Sequence, residues 1–390
     1  MTSSLPDLVS ATWLAQHAGD VVIADVRWYL DGRSGREAFA GGHLPGAVFV
    51  DLDRDLSAPP VPGEGRHPLP APDAFAAALG GLGIGHGQPV VAYDDAGGSI
   101  AARMWWMLRA VGEPAAVLDG GLQAWPTGLE AGPGPVRTAV TREVRAWPSA
   151  CFVGTDEVDR MRQAPGVLLL DARSARRFSG DEVAVDPRPG HIPGARSAPW
   201  AENLDPRTGR FKPAEELGRR FRELGAAAAD VVVTTCGSGV TACHDLLALH
   251  VAGYDRLALY TGSWSAWSSD PRRPAARGSL PPVSHSPGRT WRIAGAQPGV
   301  SWGAMTQPAV SAVEQARLAW RRAVEEKATS LGAARDQAEA ELRRRLCQLW
   351  DALEQALATG MSLDDLSRRL GLSPGVVHAL LSRDGSPLLA

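Results

Sequence analysis

One stretch, Val231-Val-Val-Thr-Thr-Cys236-Gly-Ser-Gly-Val-Thr-Ala242, holds the residues whose types and spacing could do chemistry. Its β-branched run reads as a short buried strand, its glycines as a tight turn, and Ala242-Cys-His-Asp-Leu-Leu-Ala-Leu-His250 as a helix by the spacing of its apolar residues. Cys236 therefore stands where a strand hands over to a helix. In such a turn successive backbone N–H groups point inward at the positive end of the helix, which stabilises a thiolate and holds negative charge on a group attached to its sulfur. Cys236 is the candidate nucleophile, and Gly237, Gly239, Val240 and Thr241 are candidate donors around its ligand. Three other readings are weaker. A buried structural thiol gains nothing from flanking glycines where alanine would pack better. A metal site built from Cys236, Cys243, His244 and His250 lacks paired Cys-x-x-Cys spacing, so no metal is expected. A phosphatase loop needs an arginine six positions after the cysteine to fork onto phosphate, and that position is Ala242.

The elements that must position this loop occur twice. Val21-Val-Ile-Ala-Asp25-Val-Arg27 reads as a strand ending in an acid, Pro72–Leu79 as a helix, Pro89–Asp94 as a buried strand and Ala101–Arg109 as a helix. Val9-Ser-Ala-Thr-Trp-Leu-Ala reads as a short helical piece. Leu170-Asp-Ala-Arg173 then echoes Ala24-Asp-Val-Arg27, Gly190-His-Ile-Pro-Gly-Ala195 echoes Gly42-His-Leu-Pro-Gly-Ala47, and Tyr260–Trp267 echoes Leu118–Trp125. Short strands alternating with helices predict an α/β fold: two tandem domains, each a mostly parallel sheet flanked by helices. The boundaries expected are 1–130 for the first domain, 131–148 for a Gly/Pro linker and 149–270 for the second domain. Asp94 stands in the first copy where the second has Cys236, so only the second domain is expected to do chemistry.

Tandem domains carrying G-H-x-P-G-A, L-D-G-G and G-S-W-x-x-W, with Cys-Gly-Ser-Gly-Val-Thr-Ala in the second copy alone, resemble the rhodanese superfamily, and within it the 3-mercaptopyruvate sulfurtransferases, over roughly residues 5–270. The resemblance implies a cytoplasmic transferase that moves sulfur through a persulfide on Cys236. Its donor would be 3-mercaptopyruvate, with thiosulfate as the alternative, and its acceptor a thiol such as thioredoxin, or cyanide. It implies no cofactor, since the sulfur rides on the cysteine. It also implies that Arg177 and Arg188 bind the donor and that Ser238, His67 and Asp53 relay protons. The small neutral Gly237-Ser238 pair favours the keto acid; thiosulfate enzymes tend to be bulky and basic there.

The remaining sequence bounds these readings. With 390 residues, 44% hydrophobic and 21% charged, and a formal net charge of −3, the chain has a globular composition and no general polyanion affinity. Four scattered cysteines fit a reducing compartment, and no stretch is apolar for long enough to cross a membrane. Cys243 reads as core, and His43 and His191 as turn residues. Residues 271–308 are rich in Pro, Gly and Arg and read as a flexible basic linker. Residues 309–390 read as an all-α extension, with self-association expected through 309–358. Residues 362–383 resemble a helix-turn-helix, but eleven basic and eleven acidic residues over 309–390 argue against nucleic acid and for a protein contact. A carrier or regulator that uses this tail is the alternative function.

Overall fold

The computed structural model describes residues 5–278 apart from Thr127, Val183, Ala184 and Pro187. The all-α extension expected over 309–390, the helix-turn-helix expected within it and most of the linker expected over 271–308 lie outside the described residues. In the first domain the elements run β1 (Leu8–Val9), α1 (Ala11–His17), β2 (Val22–Asp25), α2 (Gly35–Gly41), β3 (Val48–Phe49), α3 (Leu52–Asp55), α4 (Pro72–Gly81), β4 (Val90–Tyr93), α5 (Ala101–Ala110) and β5 (Ala115–Leu118). The second domain runs β6 (Phe152–Val153), α6 (Thr155–Met161), β7 (Val167–Asp171), α7 (Ala175–Ser179), β8 (Arg196–Ser197), α8 (Ala214–Glu223), β9 (Val231–Thr235), α9 (Ala242–Val251), β10 (Leu257–Tyr260) and α10 (Ser263–Ser269).

Both sheets are five-stranded and parallel with one strand order, β1-β5-β4-β2-β3 and β6-β10-β9-β7-β8. The central strands β4 and β9 are therefore equivalent, as are α5 and α9 that follow them. Strands buried on both faces read as continuous apolar runs, and Val90–Tyr93 and Val232–Thr235 are wholly buried. Where the sequence reads helix from Val9, the chain instead begins with β1, and Ser10 accepts from the N–H of Trp13 as the cap of α1. Two residues are too few to carry an alternation signal.

The repeated Asp-x-Arg motif has a structural use in both copies. Asp25 ends β2 and receives the fork of Arg27, whose Nη2 goes on to the carbonyl of Gly42 at 2.7 Å. Asp171, Arg173 and Gly190 repeat this with 2.6 and 2.8 Å bonds. Each glycine precedes a histidine that stacks on a phenylalanine and bonds its carbonyl: His43 on Phe39 and His191 on Phe178. These histidines serve the turn.

Residues 131–148 are strapped along the first domain, with Val140 N–H on the Gly80 carbonyl and Arg142 forked onto Ile84, Gly85 and Glu113. The domains meet along α5 and α9, and one cluster of buried apolar side chains runs from Met104 and Met107 through Leu246 and Leu249. A buried polar seam accompanies it. His244 bonds the Gly97 carbonyl at 3.1 Å, and Asn203 bridges His244 and Asp245 at 3.1 and 2.7 Å. The second Asp245 oxygen has no partner among the described residues.

Burial pushes the Asp245 pKa up to about 7 from an ordinary 3.8, against the pull of Arg220 and Asn203. Between these two values the folded chain holds a proton that the unfolded chain has lost, so this group's contribution to stability falls as pH rises through the window. Asp245→Asn is therefore expected to gain thermal stability over the parent near pH 8, with the gap narrowing by pH 5 and closing below about pH 4. Melting curves of both proteins across that range check it.

Candidate active site

β9 delivers Cys236 to the carboxyl end of its sheet, and the loop Cys236–Thr241 turns into α9. Two glycine positions make the turn possible. Gly239 has φ +79, and a Cβ there would lie 2.5 Å from the Thr261 carbonyl oxygen. A Cβ on Gly237 would stand 2.9 Å from Arg66 Nη2 and 3.1 Å from Arg177 Nη2.

The loop's carbonyls are held from behind. Trp264 and Ser265, in the first turn of α10, donate their N–H groups to the carbonyls of Cys236 and Gly237 at 2.9 Å each. Arg103, from α5 of the other domain, donates to the Gly239 carbonyl at 2.9 Å. In a planar peptide the next N–H points opposite its carbonyl, so these clamps turn the N–H groups of Gly237, Ser238 and Val240 forward. None of the three has an acceptor among the described residues. Gly239 N–H already reaches Cys236 Sγ at 3.1 Å. Ser263, a non-glycine residue at φ +51, spends its hydroxyl on the Cys236 N–H.

The first domain shows what such a loop binds. Asp94, at the end of β4, places its carboxylate within 2.8–2.9 Å of four loop N–H groups, those of Ala96, Gly98, Ile100 and Ala101. One copy fills its nest with its own anion; the other presents a sulfur atom.

Cys236 opens on a cleft of about 330 Å³ shared by both domains, with Trp28, Arg66, Arg177, Ser238 and Thr241 among its walls. Ser238 Oγ lies 2.8 Å from His67 Nδ1, and His67 Nε2 lies 3.1 Å from Asp53 Oδ1. Trp28 Nε1 donates to the other Asp53 oxygen at 3.0 Å and packs edge-on against the His67 ring. The His67 hydrogen bond, with help from Trp28, holds the Asp53 pKa below the ordinary carboxylate value despite some burial. Beside an ionised Asp53, the imidazole tautomer that satisfies both bonds is the one with N–H at Nε2, in which Nδ1 accepts from the Ser238 hydroxyl. Cys236, Ser238, His67 and Asp53 are thus brought together, and Gly237, Val240 and Thr241 line the same cleft.

Arg177 is also there, ion-paired with Asp186. Arg188 is not. Its guanidinium is spent on four carbonyls at the end of α10, those of Trp267, Ser268, Asp270 and Arg273, at 2.9–3.3 Å. A cation complements a helix C-terminus, and these bonds take four of the five N–H donors of the guanidinium. The structure therefore does not bring Arg188, expected as a donor ligand, to the walls of the cleft. Arg33 and Arg66, from the first domain, also line the cleft, and Arg66 Nη1 lies 2.6 Å from Asp186.

Sequence reasoning passed over Arg66, Asp186 and Arg103. Arg103 carried a signal, a lone charge in the apolar run Ala101-Ala-Arg-Met-Trp-Trp106. It is fully buried and reaches three carbonyls, with no carboxylate partner among the described residues. Burial pushes its pKa down, while negative charge on Cys243 and Cys236 pulls it back up. Burial drives the Cys243 pKa up to about 12, which suits a core thiol. The described residues contain no group of His, Cys, Asp and Glu that could hold a metal, and no helix among them is long and apolar enough to cross a membrane.

A model of the rhodanese-like domain matches the chain twice, over residues 10–127 and 154–270. A Pseudomonas aeruginosa protein provisionally named 3-mercaptopyruvate sulfurtransferase is 42% identical over 286 residues, 70% of this chain and 99% of its own length. A Mycobacterium tuberculosis protein provisionally named thiosulfate sulfurtransferase is also 42% identical, over 282 residues, 70% of this chain and 97% of its own. The crystal structure of SseA from Escherichia coli, a 3-mercaptopyruvate sulfotransferase, superposes with a TM-score of 0.57 at 35% identity, over 66% of this chain and 99% of that one.

Arg103→Met keeps the bulk of the buried side chain and removes both the clamp on Gly239 and the positive charge behind the loop. Alkylation of Cys236 by iodoacetamide, followed by intact mass at fixed pH, is expected to slow by about ten-fold or more, with far-UV circular dichroism unchanged.

Proposed function

The chain belongs to the rhodanese family of sulfurtransferases, and we propose that its second domain, 149–270, moves sulfane sulfur from 3-mercaptopyruvate to a thiol or cyanide through a persulfide on Cys236. The observation that carries the choice of donor is the chain of hydrogen bonds from Ser238 through His67 to Asp53 beside that sulfur. When the Cys236 thiolate attacks the donor sulfur, the carbon–sulfur bond breaks and its electron pair leaves on carbon as the enolate of pyruvate. The donor's thiol proton must reach that carbon. Ser238 and His67 provide a path, with Asp53 stabilising the charge on the imidazole. Thiosulfate needs no such path, because sulfite leaves as a stable anion.

The product persulfide, Cys–S–S⁻, would lie in front of the free N–H groups of Gly237, Ser238 and Val240. Attack on its outer sulfur by an acceptor thiolate or cyanide returns the Cys236 thiolate, so the cycle balances without a cofactor. Arg177 and Arg66 are the groups placed to bind the donor's carboxylate. Binding at Gly237 and Thr241 would be through backbone and small side chains, which leaves room for a ketone. A cytoplasmic location is the compartment proposed, in keeping with a thiol acceptor and with the free thiols of Cys151, Cys236 and Cys243. Thiosulfate as donor is the second reading, favoured by the name of the mycobacterial relative. The tail beyond 278 would serve self-association or a protein contact, leaving the sulfur chemistry to Cys236.

Turnover with each donor and one shared acceptor is the deciding measurement. A higher kcat/KM for 3-mercaptopyruvate supports the reading, and a higher value for thiosulfate overturns it. Cys236→Ser should lose transfer with both donors and show no gain of one sulfur atom in intact mass. His67→Ala is expected to lower kcat/KM for 3-mercaptopyruvate by about 100-fold while changing that for thiosulfate by less than about three-fold, which isolates the proton path.

A further inference from the structure

Behind the two arginines of the cleft that flank Gly237 stands a carboxylate that the transfer itself does not call for. Asp186 is buried, with 4% of its side chain exposed, and bridges a guanidinium from each domain. Oδ1 accepts from Arg66 and Oδ2 from Arg177, while Arg173 stands 3.8 Å off. Both bridged cations crowd the one face of Gly237 where a Cβ would collide, one residue from the nucleophile. The carboxylate is also held in place from outside the cleft. Arg188 pins the chain two residues on to the end of α10, and Trp264 Nε1 donates to the Arg188 carbonyl at 2.9 Å.

We propose that Asp186 is a specificity-determining positioning residue: it orients Arg66 and Arg177 and sets the charge of the donor site at one positive unit, so the site prefers a donor with one negative charge over a donor with two. The inference rests on the keto-acid reading above. The neighbouring charges cancel in pairs, Arg33 with Asp31 at 2.8 Å and Arg173 with Asp171 at 2.6 Å. The Arg66–Asp186–Arg177 cluster itself keeps two guanidiniums and one carboxylate, apart from Arg103 behind the loop and Asp53 beyond His67. The carboxylate of 3-mercaptopyruvate brings the cluster to neutrality. Thiosulfate leaves it one charge negative, in a partly desolvated cleft facing a thiolate that must attack, and like charges at such distances are costly. Asp186 also occupies donors that a substrate oxygen would otherwise take, leaving each arginine fewer free N–H groups for a large oxyanion.

The experiment compares kcat/KM for the two donors in the parent, Asp186→Asn, Asp186→Glu and Arg66→Gln proteins. Asp186→Asn is expected to shift the ratio toward thiosulfate by about ten-fold or more, mainly through a lower thiosulfate KM, and Asp186→Glu to restore the parent ratio. Arg66→Gln, which removes a positive unit instead, should shift the ratio the opposite way. It keeps the inference testable if the Asn protein does not fold. Equal losses with both donors in Asp186→Asn, or an unchanged ratio in both variants, would show Asp186 to be only a tie between the domains and overturn the proposal. A parent protein that already prefers thiosulfate would sink the donor reading, whereas this inference is judged on the direction of change from the parent.

Discussion

A peptide plane carries its carbonyl and the following N–H on opposite edges, and the site at the end of β9 depends on that constraint. Holding the carbonyls of Cys236, Gly237 and Gly239 from behind is what turns the amides of Gly237, Ser238 and Val240 toward the cleft. The clamps come from two directions. The first turn of α10 supplies two backbone donors, and in the first copy the 3-10 turn at Gly121–Ala124 supplies the matching bond from Leu122 N–H to the Asp94 carbonyl at 2.8 Å. The third clamp is Arg103, which belongs to the other domain.

Duplication is therefore more than bulk. The first domain has closed its own nest with Asp94, whose four amide bonds are the permanent version of what the second domain offers to a transient anion. In exchange it supplies the second domain with His67, Asp53, Arg66 and Arg103, all facing one loop. Neither domain alone holds a complete set. The polar seam of Asn203, His244 and Gly97, with the apolar packing of α5 on α9, fixes the distance across which these residues must reach. A shift of an ångström along that seam would break the 2.8 Å contact between Ser238 and His67.

How much of this is legible in the sequence follows from the range of each interaction. The strand, the glycines and the helix around Cys236 are neighbours in the chain, so the nucleophile and its loop can be read directly, and so can the doubled α/β architecture. His67 and Asp53 become legible through family resemblance alone, since nothing local ties them to a residue 171 positions away from His67. Arg188 shows the limit of that method: a position can match a pattern while its side chain is consumed by the end of a nearby helix. Arg66 and Asp186 form a pair separated by 120 positions, invisible to spacing. β1 and β6, two residues each, are defined by their pairing partners and have no pattern of their own.

Arg103 carries the energetic argument furthest. Burying a guanidinium without a carboxylate costs on the order of several kcal/mol, and three carbonyl bonds offset only part of that. What remains is attraction to negative charge nearby, and in the proposed cycle the sulfur of Cys236 would carry that charge, move it one atom outward and recover it. The coupling is reciprocal: whatever stabilises a negative sulfur in front of the loop also stabilises the cation behind it, and with it the packing of α5 against α9. The interface and the nucleophile therefore share one electrostatic term. A chain that replaced Arg103 by an apolar residue would gain a drier interface and lose the reason for bringing the domains together at this loop.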